Sequence, residues 1–247
     1  MLKPPHVLAI VGPTASGKSE LALQIVERLP AEIISADSMQ VYKGMDIATS
    51  KVSKAVRCHV KHHLVDVVSI KEPFNAFEYQ KAARAAIEEI FNKEKTPIIV
   101  GGTGLYIRAA LYDLNFAQEK TDLFKAKSIY SLITVGLTMS RDILYERINK
   151  RVDAMMAAGL LEETKKLIES GFKEVLTAKQ ALGYKELIEY LDGHISMDEA
   201  VETLKKRTRN YAKRQYTWFK KDPNVKWFDI TQIPIPEIAD QVIELLN

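Results

Sequence analysis

The sequence predicts an α/β fold, a doubly wound parallel sheet with added C-terminal helices. Three observations carry that prediction. Four apolar runs, HVLAIVG (6–12), EIISAD (32–37), PIIVGG (97–102) and SLITVGL (131–137), lack polar–apolar alternation, as expected of parallel strands covered on both faces. Segments of helical composition separate them, the order of a doubly wound sheet. The first run ends in a glycine-rich loop, GPTASGKS at Gly12–Ser19, that opens a helix.

The elements follow in order. Residues 18–29 read as a helix stopped by Pro30, since proline can neither donate to nor fit within a continuing turn. Residues 76–92 are helical in composition, whereas the polar stretch DLNFAQEKTDLFKAKS (113–128) has no clear organisation. Ser140 reads as the N-cap of a helix to Ala158, with Gly159 interrupting. Ser196 and Glu199 form a capping-box pattern that opens a long helix to about Lys221. VKWFDI (225–230) reads as a last strand and 235–246 as a terminal helix. With no internal repeat, residues 1–247 are expected to form a single P-loop-type catalytic domain.

Bulk properties exclude several classes. Hydrophobic content of 47% with 27% charged residues is that of a globular chain and not a disordered one. The opening apolar run is too short to span a bilayer, so no membrane role is expected. The single cysteine, Cys58, excludes an intrachain disulfide and fits a reducing, cytoplasmic setting. The net charge of +3 says little, but residues 205–221 contain no acidic side chain.

GPTASGKS satisfies every fixed position of G-x-x-x-x-G-K-[ST], with a strand before it and a helix after it, which makes the fold P-loop NTPase-like. Gly12 and Gly17 let the backbone turn its amides inward as an anion nest. Lys18 adds a point charge, Ser19 a hydroxyl for Mg²⁺, and the helix its positive end. Which phosphate compound is bound stays open on this motif. Nucleotide hydrolases usually end a later strand in a metal-binding carboxylate; here Gly101, Gly102 and Thr103 stand there, offering backbone amides and a hydroxyl that suit a phosphate. The acidic residue is Asp37, after the second strand. That placement is odd for an ATPase and leaves a small-molecule or nucleotide kinase as the alternative.

Taken in order, GPTASGKSELA, IISADSMQVYKGMDI, HHLVD, IIVGGTGLYI, ITVGLTMSRDILYERINKRVDAMMAAGLLEE, QALGYKE and TRNYAKRQYTWFKKD cover most of residues 11–222. Together they closely resemble the tRNA dimethylallyltransferase family of bacterial type. The resemblance implies transfer of a dimethylallyl group from dimethylallyl diphosphate to N6 of adenine 37 in tRNA. It implies that Gly12, Thr14, Ala15, Ser16, Gly17, Lys18 and Ser19 hold the diphosphate, with Ser19 on Mg²⁺, and that Asp37 takes the N6 proton. Thr103 is then a donor to the diphosphate or its bridging oxygen. An arginine of ERINKRVD completes the anion site; Arg147 and Arg151 share a helix face and are not separable here. Ser38, Met39 and Gln40 follow Asp37 and are expected to read a flipped-out adenine. Gly183 and Tyr184 are expected near the tRNA. Relatives carry a helical tRNA-gripping insertion where this sequence has only 113–128.

Two further stretches have bland readings. On the helix from Ser196, Ala200, Val201, Leu204, Tyr211, Ala212 and Trp218 recur at helical spacing and are expected to pack inward. Lys205, Arg209 and Lys213 form an outward stripe, ordinarily a solvated face, to which the resemblance gives a phosphate-tracking role. CHVKHH (58–63) crowds its ligands into one stretch without a second Cys/His pair, so packing or a pocket role is expected and not zinc. A non-catalytic RNA-binding protein and an enzyme acting on free adenine nucleotides are the remaining alternatives, and a monomer is expected.

Overall fold

A computed structural model describes residues 6–116, 123–175 and 181–246. The strands are β1 (His6–Val11), β2 (Ala31–Ala36), β3 (His62–His63), β4 (Thr96–Gly101), β5 (Ser131–Thr138) and β6 (Val225–Asp229). They form one sheet in the order β3-β2-β4-β1-β5-β6, and every pairing is parallel. The helices are α1 (Lys18–Val26), α2 (Lys54–His59), α3 (Ala76–Phe91), α4 (Gly104–Leu111), α5 (Arg141–Ala157), α6 (Leu160–Glu169), α7 (Tyr184–Leu191), α8 (Met197–Phe219) and α9 (Ile235–Leu246).

The unalternated runs have the cause inferred from them. Val7, Ala9 and Val11 of β1 face a core completed by α3 and α4, with Tyr79, Ile87, Ile107 and Leu111. Leu8 and Ile10 face the opposite core, completed by Leu21 and Ile25 of α1 and Ile238 and Val242 of α9. Both faces of the strand are therefore apolar. A third cluster, with Val41, Met45, Leu160, Phe172, Tyr184 and Leu204, joins the segment after β2 to α6, α7 and α8. No helix among the described residues is long and apolar enough to cross a membrane.

Boundaries match closely, with instructive differences. The first helix ends at Val26, three residues before the expected Leu29, and its last turn frays into a bend before Pro30. Ser140 occupies the expected N-cap position, but its side chain makes no cap hydrogen bond. Gly159, at φ +96°, ends α5 and starts α6, a left-handed geometry that favours glycine. Ser196 and Glu199 do form a capping box. Of the unorganised stretch 113–128, residues 117–122 lie outside the described residues. Its flanks pair: Tyr112 and Ser128 form an antiparallel bridge, Asp113 N donates to Lys127 O at 2.9 Å and Ile129 N to Leu111 O at 3.0 Å.

Candidate active site

β1, β2 and β4 end side by side, and the loops leaving them converge at the C-terminal edge of the sheet, where α/β sheets place ligands. After β1, Gly12 (φ +140°), Ala15 (φ +64°) and Gly17 (φ +90°) take left-handed backbone. That sequence curls the loop around Lys18, whose Nζ donates to Pro13 O at 2.6 Å. Burial and the nearby Arg151 guanidinium push the Lys18 pKa down to about 7, against an upward pull from Asp37. The Ser16 hydroxyl is buried and has no hydrogen-bond partner, while Ser19 is exposed at the first turn of α1. A cavity of about 370 Å³ is lined by residues 14–19 with Asp37, Gln40, Arg151, Tyr211 and Gln215.

After β2, the Asp37 carboxylate is held by its own loop. Its Oδ1 accepts from Met39 N at 2.9 Å and Gln40 N at 3.3 Å, an Asx turn. The Gln40 side chain is engaged inside the protein, accepting from Ser35 Oγ at 2.8 Å and donating to Thr49 O at 3.0 Å. After β4, Thr103 Oγ1 accepts from Ser38 N at 3.1 Å, so the loops of Asp37 and Thr103 are tied together.

A second cavity, of about 220 Å³, lies against the first and shares Thr14, Asp37, Thr49, Arg151 and Tyr211 with it. Its own wall holds Ser38, Met39, Ile148, Met155 and Gly183. Gly183 has φ +94° and a Cβ there would lie 3.0 Å from Ala48 Cβ. Tyr184 is fully buried and donates its hydroxyl to Glu163 at 2.6 Å. It borders the cavity from within the core. Gln180 of QALGYKE lies outside the described residues.

Several expectations need correction. Arg151 lines both cavities, whereas Arg147, one turn earlier on α5, is exposed and lines neither. One turn of rise separates two residues that share a face. The amides expected to be free for an anion are partly committed: Thr14 N donates to Gln215 Oε1 at 2.8 Å and Thr103 N to Ala36 O at 3.1 Å. The outward stripe of α8 is not uniformly solvated, because α8 packs on α5. Lys205 pairs with Asp153 at 2.8 Å and Glu202 at 3.1 Å, and Arg209 donates to Asn149 Oδ1 at 2.6 Å. Lys213 is exposed. Of the aromatics assigned to the core, Trp218 packs against Phe124 with the rings tilted by 53° and their centres 5.4 Å apart, but Tyr211 lines both cavities. Its pKa is pushed up to about 12 by burial and the Asp37 charge, with hydrogen bonding to Thr103 and Gln215 offsetting part of the rise.

Sequence reasoning missed Tyr211 and Gln215. Gln215 is 5% exposed and lies on the same stripe as Leu204, Ala212 and Phe219; a polar residue in an otherwise apolar stripe was the available signal.

The model of the IPP transferase family matches residues 40–128 and 116–222. The chain belongs to the IPP transferase family. It is 38% identical to a tRNA dimethylallyltransferase of Natranaerobius thermophilus, covering 100% of this chain and 93% of that protein. It is 40% identical to one of Bacillus subtilis, covering 91% of each. Among solved structures, the tRNA delta(2)-isopentenylpyrophosphate transferase of Staphylococcus epidermidis superposes with a TM-score of 0.89 at 35% identity, over 98% of this chain and 99% of that one. A eukaryotic dimethylallyltransferase acting on tRNA gives 0.81 at 25%, over 97% and 78%. The N. thermophilus alignment runs over 308 residues, longer than this IPP transferase chain of 247, so that relative carries internal residues with no counterpart here. Membership makes the chain a prenyl-transferring enzyme, and the kinase alternative finds no support.

The Ser19 hydroxyl at the phosphate loop of this IPP transferase is a hard oxygen donor and fits Mg²⁺, which prefers few protein oxygens beside phosphate and water. His62 lines the first cavity and Cys58 is exposed. His63 bonds Glu32 at 2.8 Å, and Lys93 bridges Glu32 and Glu89 where those three side chains approach.

Proposed function

We propose that this enzyme transfers the dimethylallyl group of dimethylallyl diphosphate to N6 of adenine 37 in tRNA, acting as a cytoplasmic monomer. The observation that carries the reading is the shared wall. Asp37, Arg151 and Tyr211 stand between a phosphate-loop cavity and a second, separate one. Two substrates entering from two sides would meet at the carboxylate.

The diphosphate takes the first cavity, facing Lys18 and Arg151 and the positive end of α1. Lys18 must be charged there, and an anion beside it favours that form. As the C1–O bond breaks, its electron pair goes to the diphosphate oxygen, where Lys18, Arg151 and loop amides stabilise the growing charge. The N6 lone pair forms the new bond to C1. Asp37 accepts the N6 proton, and its own loop amides hold it in place while it does so. Thr103, whose Oγ1 accepts from Ser38 N, donates its hydroxyl proton toward the leaving oxygen in this reading. When bound, Mg²⁺ held by Ser19 and the diphosphate supplies further charge neutralisation. Ser38, Met39, Gly183 and Tyr184 border the adenine side, whereas Gln40, expected there, lines the phosphate cavity with its amide committed to Ser35 and Thr49; Lys213 and neighbouring cations of α8 lie along the RNA backbone.

The test is incubation with Mg²⁺, dimethylallyl diphosphate and unmodified tRNA containing adenine 37, followed by nucleoside mass analysis. A prenylated adenosine is expected, and its absence overturns the reading. Asp37→Ala should lower kcat by about 10²–10⁴-fold while diphosphate affinity stays within about threefold, less than a hydrogen bond's worth. Equal losses in both would make Asp37 a diphosphate or metal ligand.

A further inference from the structure

Gln215 joins two loops beyond the last pairs of the ladders that carry them. Ala36 and Gly101 are paired in the β2–β4 ladder, so hydrogen bonds of the sheet fix the Asp37 loop against the Gly102–Thr103 loop. The ladders of β1 end at Ile10 with Val100 of β4 and at Val11 with Gly136 of β5, and Thr14 lies three residues past Val11, beyond the reach of either ladder. Gln215 adds a link at that height from α8. Its Oε1 accepts from Thr14 N at 2.8 Å, and its Nε2 donates to Gly102 O at 3.0 Å. A Cβ on residue 102 would lie 1.9 Å from that Nε2, so only glycine admits the contact. The next residue, Thr103, accepts from Ser38 N at 3.1 Å. One continuous path therefore runs from the phosphate loop to the residue following Asp37.

We propose that Gln215 is a positioning residue: it fixes the distance between the phosphate loop and the Asp37 loop, so that leaving group and base stay aligned. This rests on the prenyl-transfer reading above. A buried amide is costly unless both of its ends are satisfied; here both link backbone, and the Tyr211 hydroxyl is a further partner. α8 itself is held firmly near this point. Arg108 pairs with Asp222 at 3.2 Å just beyond its end, and a Cβ at Gly104 would lie 2.0 Å from Trp218 Nε1. The helix is thus a fixed post from which the loop is held.

The test uses the full chain with Gln215→Met, which keeps volume and helix propensity and removes both backbone bonds together with the one to Tyr211. A second variant, Gln215→Glu, keeps an acceptor for Thr14 and loses the donor to Gly102. Each is measured for melting midpoint, inorganic pyrophosphate affinity and kcat per titrated active site. Misalignment on the ångström scale predicts a kcat loss of about 10- to 100-fold, with pyrophosphate affinity within about threefold of the parent, because each half-site stays intact. Combined with Thr103→Val, the losses should be less than multiplicative, since both break the same path. A kcat per site within about twofold of the parent in the variants that melt like it, or a pyrophosphate affinity that falls by the same factor as kcat, overturns the proposal. A parent protein that makes no prenylated adenosine instead defeats the underlying reading.

Discussion

At the scale of single residues, the site is governed by which charges are buried together. Lys18 is the sharpest case, with its pKa pushed down to about 7 by burial and Arg151. In the free protein its ammonium is charged below about pH 7 and neutral above. Because bound diphosphate favours the charged form, binding above that pH must take up a proton. Affinity is therefore full below about pH 7 and declines as pH rises through it. Calorimetry at pH 8 in buffers of different ionisation enthalpy should show net proton uptake, and Lys18→Met should remove it; equal uptake in the two proteins would contradict the assignment. Arg151 and Arg147 make a second test. Arg151→Ala should weaken diphosphate binding by about 10- to 100-fold, the worth of a charge-assisted hydrogen bond, while Arg147→Ala, exposed and away from both cavities, should change it by less than about twofold. Sequence could place the two arginines on one face but not rank them. Rank depends on where α5 begins relative to the phosphate loop, a fact of packing and not of spacing.

At the scale of elements, α8 organises the site more than its composition suggested. Ala200, Leu204 and Ala212 read correctly as buried, Val201, Tyr211 and Trp218 are half-buried, and its capping box was legible because two specific side chains at N-cap and N3 satisfy specific amides. What escaped notice is that the stripe turns polar at Tyr211 and Gln215, where the helix leaves the core and enters the cavity. α4 has no counterpart among the expected elements: Thr103 is its N-cap and Gly104 its first residue, a glycine because the indole of Trp218 occupies the space a side chain would need. Gly104→Ala should therefore cost about 1–3 kcal/mol through overpacking, lowering the melting midpoint by roughly 2–12 °C for a chain of this size. An unchanged midpoint would show that Trp218 can move aside freely.

At the scale of the whole molecule, the strands were legible and the cation surface was not. Unalternated apolar runs gave the doubly wound sheet directly, because β1 divides its side chains between two apolar cores. β3, only His62–His63, is too short to leave a pattern. The acid-free basic stretch suggested a uniform positive face, but acidic partners came from other elements. Asp153 of α5 meets Lys205, and Glu186 of α7 meets Arg207 at 2.7 Å. The effective positive surface is thus narrower than the sequence implies. Measured against salt concentration, the log–log slope of tRNA affinity should fall by about one in Lys213→Ala and by less in Lys205→Ala, whose charge is already balanced. Equal slopes for the two variants would mean that the ion pairs of Lys205 dissolve on binding.

The bridge between Tyr112 and Ser128 has a consequence of a different kind. The backbone entering and leaving this excursion is already side by side, stitched by its own amides before the chain reaches β5. Such a junction behaves as a splice point: material can be threaded in or cut away there while the sheet, the phosphate loop and the Asp37 carboxylate keep their places. The catalytic body and whatever a relative carries at that junction can therefore be exchanged as separate parts. A chimera that exchanges only the residues between Phe116 and Leu123, keeping Phe124 against Trp218, should melt close to the parent's midpoint.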